Sequence, residues 1–147
     1  MTGERVVTEQ FERQWRSVAH SALRIAAGCA YFSHGAQKLL GWFGGFGPGG
    51  GTAELMSRFG AAGAIETIGG ALLILGLFTR PVAFITAGEM AVTYFWMHVS
   101  TSGQLFWWKN HGEVPLLYCF IWFLFAAWGP GSFSLDVRIR KQQPGGV

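Results

Sequence analysis

The sequence predicts an all-α integral membrane protein built as a four-helix bundle. Half of its 147 residues are hydrophobic and only 13% are charged, whereas about a quarter of a soluble domain is charged. The apolar residues are concentrated in blocks close to the length of about 20 residues that crosses a bilayer. These blocks predict helices at about 17–43, 61–78, 81–99 and 113–129. We expect residues 1–147 to form a single transmembrane domain.

The first sixteen residues are polar but patterned. Phe11, Trp15 and Val18 recur at i, i+4 and i+7, and the charged residues beside and between them are Glu9, Glu12, Arg13 and Arg16. This spacing predicts an amphipathic helix on the membrane surface that runs into the first apolar block.

Glycine and proline mark the connections between the blocks. The glycine-rich stretch 41–51 cannot be helical and predicts the longest loop. Thr79-Arg80-Pro81 leaves room only for a tight helical hairpin, with proline suited to a first helical turn. Gly129-Pro130-Gly131 ends the fourth block, and the basic tail 137–147 follows.

The basic residues predict the orientation. In a four-span protein, one side holds eight of them and the other holds Lys38, Arg58 and Lys109. Cytoplasmic loops are enriched in Lys and Arg, so both termini should be cytoplasmic in the bacterial inner membrane. The eight are Arg5, Arg13, Arg16, Arg24, Arg80, Arg138, Arg140 and Lys141. A basic rim suits anionic lipid, so the net charge of +3 needs no nucleic acid to explain it.

Ionisable side chains inside the apolar blocks are the best guide to function, because a charge in hydrocarbon is expensive unless something uses or satisfies it. In this topology six of seven polar positions fall in the outer half: His34, Lys38, Glu66, His98, His111 and Glu113. Glu89 lies near the middle of the third helix and should be protonated or paired.

Helical spacing predicts which of these residues share a face. His34 and Lys38 are neighbours at i, i+4, and small residues on either side of Glu66 allow another helix to approach it. Nine residues at about 100° each place Glu89 and His98 on opposite sides of a straight helix. A single pocket that holds every polar residue is therefore not expected unless that helix is distorted.

Structural roles compete with functional ones. Arg24 is expected to snorkel, so that its charged group reaches the inner membrane interface. For Lys38, snorkelling to the outer interface and a functional role are equally expected. For His34 and Glu66, a structural hydrogen bond that joins the first two helices and a role in the chemistry of a site are equally expected. His98, His111 and Glu113 could be loop-edge residues, and Tyr94 and Tyr118 packing aromatics. Cys29 and Cys119 are expected to be free, buried thiols.

Five short motifs, in order, resemble the DoxX family of small bacterial membrane proteins. They are His34-Gly35-Ala36-Gln37-Lys38 with the following Gly41-Trp42-Phe43-Gly44-Gly45, Gly76-Leu77-Phe78-Thr79-Arg80-Pro81, Gly88-Glu89-Met90-Ala91-Val92, Asn110-His111-Gly112-Glu113 with Leu117-Tyr118, and Gly129-Pro130-Gly131-Ser132-Phe133-Ser134-Leu135-Asp136. The resemblance spans about residues 20–136 and departs at His111, where the family usually has glycine. It implies four membrane helices and, for some relatives, a role as a subunit of quinone-linked oxidoreductases.

The first functional hypothesis is a quinone-interacting membrane subunit. His34 with Lys38 would bind or protonate one quinone carbonyl, and Glu66 or Glu113 would relay protons. The remaining candidates for the quinone site are Trp42, Glu89, Tyr94, Trp96 and His98. The sequence contains no Cys-x-x-Cys, no flavin fingerprint and no convincing haem pair, so a protein partner would supply the electrons.

Two alternatives stay open. The protein could be a non-catalytic scaffold that docks a soluble redox enzyme on its basic tail and N-terminal helix. It could also bind or transport a metal, although no Glu-x-x-His spacing occurs on any predicted helix. The chain could also form a homo-oligomer, in which the face of the third helix that carries Glu89 would contact a second copy.

Overall fold

A computed structural model describes residues 2–142, and their regular structure is helical. The helices are α1 (Thr2–Leu40), α2 (Arg58–Leu75), α3 (Thr79–Thr93), a π-helix (Tyr94–Val99), α4 (Ser100–Ser102), α5 (Trp107–Asn110), α6 (Glu113–Trp128) and α7 (Leu135–Gln142). The all-α prediction is confirmed: within residues 2–142 the only β pairing is an isolated bridge between Phe46 and Gly51. By length and composition α2 is a candidate membrane span, and α6 is a shorter apolar helix.

The N-terminal segment and the first apolar block form one helix, α1. The N-terminal helix runs into the first apolar block, as predicted, and its place on the membrane surface stays a prediction. A sharp change of helix direction usually needs proline, glycine pairs or a bulge, and residues 4–27 contain neither glycine nor proline. The helix ends at Leu40, three residues before the predicted 43, because Gly41 adopts the left-handed conformation with φ 68°.

The second and third helices start earlier than predicted. Ser57 caps α2 by accepting a hydrogen bond from Gly60 N–H, and left-handed Gly76 ends the helix at Leu75 rather than at residue 78. Helix α3 begins at Thr79 because the Asp136 carboxylate, on α7, accepts the backbone N–H groups of Phe78 and Thr79 at 2.8 and 2.9 Å. Helix α6 matches its prediction to within one residue.

The bundle is built from two closely packed helix pairs, α1 with α2 and α3 with α6, and α2 also contacts α3. Glycines allow the first pair to approach. A Cβ on Gly70 would lie 2.8 Å from the backbone of Phe32, and one on Gly35 would collide with the backbone around Thr67. The predicted close approach of another helix beside Glu66 is thus present, and the helix that approaches is α1.

The core between the pairs is largely aromatic. Its fully buried members include Tyr31 from α1, Leu73 from α2, and Trp122 and Phe125 from α6. Tyr31 packs edge-on against Trp122 with 5.5 Å between ring centroids. This core fixes the rotation of α1, so that the residues two turns after Tyr31 face α2 and α3.

Arg24 does not snorkel, and that expectation is wrong. Its side chain is completely buried and donates hydrogen bonds to backbone carbonyls: Nε to Pro130 at 2.8 Å, and the guanidinium nitrogens to Leu73, Ile74 and Phe133. The last carbonyls of a helix have no partner within it. Arg24 supplies that partner at the end of α2 and ties the segment after α6 to the same point.

Candidate functional site

A buried ion pair links α1 to α2. Lys38 Nζ donates to both carboxylate oxygens of Glu66 at 2.5 and 2.6 Å, and the Glu66 side chain is only 3% exposed. Lys38 reaches this position because Gly63, one turn before Glu66, leaves room for its Cβ. The partner of Glu66 is therefore Lys38 and not His34, and Lys38 does not snorkel away from the bundle.

A second carboxylate, Glu89 on α3, lies beside this pair. It accepts a hydrogen bond from the Tyr31 hydroxyl at 2.9 Å and another from the Thr93 hydroxyl at 2.9 Å. Glu89 is close enough to Lys38 and Glu66 to interact with both electrostatically. Three helices thus hold one cation and two carboxylates within a single polar cluster, which we call the Lys38 cluster: Tyr31, Lys38, Glu66, Glu89 and Thr93.

The π-helix brings His98 to the same side of the molecule as Glu89. At its end the N–H of Ser100 bonds to Phe95 O, five residues back instead of four. A wider turn changes the rotation between Glu89 and His98, which would be opposite in a straight α-helix. The distortion that the sequence left open is therefore present, and it brings Glu89 and His98 to one cavity.

That cavity lies between α2 and α3 and has a volume of about 530 Å³. Small-molecule sites typically occupy about 300–1,000 Å³ and combine apolar walls with a few polar groups. Here the polar groups are Lys38, Arg58, Glu89, Thr93 and His98, and the walls are Phe59, Ala61, Ala62, Ile65, Ile85, Val92, Trp96 and Met97. Ile85, Val92 and Trp96 are more than half exposed, so the cavity opens at the side of the bundle.

The polar end of the cavity is shaped by Arg58 and His98. The Arg58 guanidinium lies 5.9 Å from the Trp96 ring and 5.2 Å from Phe59. His98 Nδ1 is 3.0 Å from the carbonyl oxygen of Asn110. Because a carbonyl oxygen only accepts, Nδ1 carries a proton, which leaves Nε2 free to accept one or, in the charged ring, to donate one.

The other predicted site residues lie elsewhere. His34 is exposed on α1 and does not line the cavity, and its ring lies 6.3 Å from that of Tyr118 on α6. Trp42 is exposed in the glycine-rich loop and Glu113 is exposed in the first turn of α6. Tyr94 is buried, and its hydroxyl donates to the Leu105 carbonyl. Of the nine predicted site residues, four line the cavity, namely Lys38, Glu89, Trp96 and His98, and Glu66 contacts it through Lys38.

Sequence reasoning missed Tyr31 and Thr93 and used Arg58 only for topology. Tyr31 had a detectable signal: it precedes Lys38 by seven residues, two helical turns, and so shares its face. Thr93 likewise follows Glu89 by four. Arg58 opens α2, but its approach to Trp96 depends on how α2 and α3 pack, which no local pattern encodes.

The profile of the DoxX family matches residues 19–99. The chain belongs to the DoxX family. It is also 41% identical over 125 residues to an uncharacterized protein of Haemophilus influenzae, covering 82% of this chain and 90% of that protein. No solved structure matches the chain. The matched region contains the whole Lys38 cluster, together with Arg58 and His98.

Membership in DoxX, a membrane family, and the apolar helix α2 together indicate membrane association. His111 ends α5 in the left-handed conformation with φ 56°, which glycine adopts without strain.

Two further expectations concern thiols and metals. Cys29 and Cys119 are free, as expected, but Cys29 is exposed and Cys119 is only partly buried. Among residues 2–142 there is no group of three or more His, Cys, Asp or Glu that could hold a metal ion. The metal-binding alternative therefore finds no ligand cluster in that part of the chain.

Proposed function

We propose that this DoxX protein crosses the bacterial inner membrane four times, with both termini cytoplasmic, and binds a quinone in the cavity between α2 and α3. It would act as the membrane subunit of an oxidoreductase system in which a protein partner supplies electrons. The observation that carries the proposal is the side-opening apolar cavity whose polar end holds Lys38, Glu89 and His98.

Membrane insertion is supported by the outer surface of the bundle. Large apolar side chains point outward from all four long helices, among them Ile25, Ile68, Phe84, Leu117, Phe120 and Phe123. Soluble monomers rarely expose such continuous apolar surface, whereas lipid requires it. The inverse arrangement holds for Arg24, Lys38, Glu66 and Glu89, which face the interior, where they are hydrogen-bonded or line the cavity. The exception is His34, which is exposed.

The proposed orientation does not depend on the basic residues that have structural partners. Arg24 donates to backbone carbonyls, Arg80 donates to the carbonyl of Ala127 at 2.8 Å, and Lys38 is paired with Glu66, so these three can be left out of the count. The remaining basic residues still divide six against two, with Arg58 and Lys109 on the outer side. The excess on the terminal side favours cytoplasmic termini.

The shape and chemistry of the cavity suit a quinone. Its side opening would admit a ligand dissolved in the bilayer, and Ile85, Val92 and Trp96 would contact an isoprenoid chain or ring. A quinone carbonyl needs a donor, which His98 Nε2 in its charged form or Lys38 can provide. Reduction by two electrons also consumes two protons, and Glu89 lies at the cavity wall where it can hold one of them.

Quinone binding can be measured in lipid nanodiscs by quenching of Trp fluorescence with a short-chain ubiquinone or menaquinone. We expect saturable quenching, reduced in Trp96→Phe because Trp96 lines the cavity. Ala62→Phe should fill the cavity and abolish saturation. The matched control is Ile68→Phe on the same helix, which adds bulk at an exposed position outside the cavity.

The histidines provide a second test. His98→Ala should weaken binding about tenfold, as expected for one hydrogen bond to a polarised group, whereas His34→Ala and His111→Ala should leave it unchanged. Non-saturable quenching, or loss of binding in His34→Ala alone, would contradict the proposed location.

Topology is testable on its own. A reporter that is active only in the cytoplasm should be active when fused to either terminus. A cysteine introduced by Ser102→Cys should react with a membrane-impermeant maleimide added outside the cell. Labelling of that cysteine only after lysis would contradict the orientation.

The scaffold alternative draws support from α7. This helix exposes Arg138, Arg140 and Lys141 and is fixed to the bundle through Asp136. If docking is the function, shortening the chain after Val137 should abolish it, while Ala62→Phe should not. The opposite result favours quinone binding.

A further inference from the structure

Residues 2–16 of α1, here called the projecting segment, extend past the rest of the bundle. Ser17 donates a hydrogen bond across the bundle to Ser132, and every residue from 7 to 16 is exposed. At 1.5 Å per residue the projecting segment is about 22 Å long. It continues α1 without a break.

One side of the projecting segment is apolar and uncovered. Phe11 and Trp15 are 60% and 58% exposed and pack edge to face, 5.9 Å apart. With Val7 and Val18 they form a stripe along the helix, and the opposite side carries the ion pairs Glu9–Arg13 and Glu12–Arg16. Most helical stability in proteins comes from packing of an amphipathic face, so a cover on the stripe would stabilise the segment as a helix.

We propose that the cover is the projecting segment of a second copy of this chain, in a parallel two-helix coiled coil. We argue this from the membrane insertion proposed above, and quinone binding plays no part in it.

Charge and geometry favour a second copy over the lipid surface. Up to residue 16 the sequence carries three acidic and three basic side chains, so their charges cancel. Interfacial helices that bind anionic lipid are instead rich in Lys and Arg. Because residues 4–27 contain no glycine or proline, the segment has no point at which to bend into the membrane plane.

Two copies in one membrane have the same orientation, so their projecting segments run parallel. In that arrangement equivalent residues meet: Phe11 and Val18 at seven-residue spacing, with Val7 and Gln14 between them. The charged residues from 9 to 16 lie on the outer faces of both helices, whereas Glu4 shares the register of Phe11 and would meet its counterpart at the open end. Close pairing ends near Val18, because Ser21, seven residues after Gln14, is buried against residues 131–133 of its own chain.

Cysteine crosslinking of the full chain in bacterial membranes tests the pairing. The background is Cys29→Ser with Cys119→Ala, and single cysteines are added by Gln14→Cys on the stripe or Arg13→Cys on the opposite side. With mild oxidation we expect a disulfide-linked dimer at least tenfold more abundant for Gln14→Cys. Adding Phe11→Glu should remove that dimer, while the thermal unfolding midpoint of the bundle stays unchanged.

Other outcomes would overturn the pairing. Equal crosslinking at both positions indicates random collision. Protection of the Gln14→Cys thiol from a water-soluble maleimide, without crosslinking, indicates that lipid covers the stripe. Release of the protein from membranes by alkaline carbonate contradicts the proposed membrane insertion itself, whereas an inserted protein that does not crosslink contradicts only the pairing.

Discussion

Two buried cations on one helix have different surroundings. Arg24 and Lys38 both lie on α1, four turns apart, and both point into the bundle. Arg24 is completely buried and bonded to backbone carbonyls from two segments. Lys38 is bonded to one carboxylate, retains some exposure, and lines a cavity beside a second carboxylate.

This difference separates structural from chemical use of a buried charge. Backbone carbonyls cannot move or change protonation, so Arg24 can only hold the ends of α2 and α6 together. The partner of Lys38 is ionisable and its neighbourhood is open, so a ligand or proton can enter. A cation that is merely buried is therefore not evidence for a site, whereas one that borders a cavity with titratable neighbours is.

The largest effect should come from Arg24→Met. The substitution leaves several buried carbonyls without donors, and we expect a loss of about 5 kcal/mol in the free energy of unfolding. Equilibrium unfolding with SDS in mixed micelles measures it. The matched control, Arg16→Met, removes an exposed arginine in an i, i+4 pair and should change stability by less than about 0.5 kcal/mol. Similar values for both variants would remove the structural role assigned to Arg24.

Glu66→Leu should have the next largest effect, because it leaves Lys38 buried without its counter-ion. Removing one partner of a buried pair typically costs about 3–5 kcal/mol, and we expect the lower end because Lys38 can turn toward the cavity. The double variant Lys38→Met with Glu66→Leu should recover most of this loss, as apolar replacements of buried pairs often do. No single second substitution should rescue Arg24→Met in the same way. Failure of the double variant to recover stability would indicate that the pair is structurally required.

The contrast also shows what the sequence could predict. Local patterns predicted the all-helical fold, the hairpin at Pro81, the bounds of α6 and the close approach beside Glu66, because glycine, proline and apolar period act locally. They could not assign partners to Arg24 or Lys38. Those partners are carbonyls and a carboxylate more than twenty residues away, selected by the rotation of α1 against α2.

His98 illustrates a second limit. Its position at the cavity depends on the π-helix Tyr94–Val99, and the residues YFWMHV contain no glycine or proline that would mark a distortion. The period of a straight helix places His98 opposite Glu89, and the sequence could not decide between that arrangement and a distorted helix. The exposed location of His34 has a similar origin, because only packing decides which side of α1 faces α6.

Gly70 lies where α1 and α2 cross, between the two cations, and Gly70→Ala should disturb both. The new methyl group would meet the Phe32 backbone, which cannot turn away, and we expect a loss of about 2 kcal/mol from the forced separation. Gly88→Ala on α3 is the matched control. A Cβ there has nothing within 4 Å, so the higher helix propensity of alanine should stabilise the protein by up to about 1 kcal/mol. The same SDS titration compares the two, and equal signs would contradict the tight crossing.

Tyr31→Phe should have the smallest effect on stability, and it tests the surroundings of Lys38 directly. It keeps the ring that packs on Trp122 and removes only the hydroxyl that donates to Glu89, so a loss of about 1 kcal/mol is expected. Tyr118→Phe, whose hydroxyl has no hydrogen-bond partner among residues 2–142, should lose less. Because Glu89 faces the cavity, Tyr31→Phe should also change the pH dependence of the proposed quinone binding. Arg24→Lys should leave that pH dependence unchanged when it is measured on the folded fraction of the variant. A binding profile that is unaltered by Tyr31→Phe would mean that Glu89 takes no part in the chemistry of the cavity.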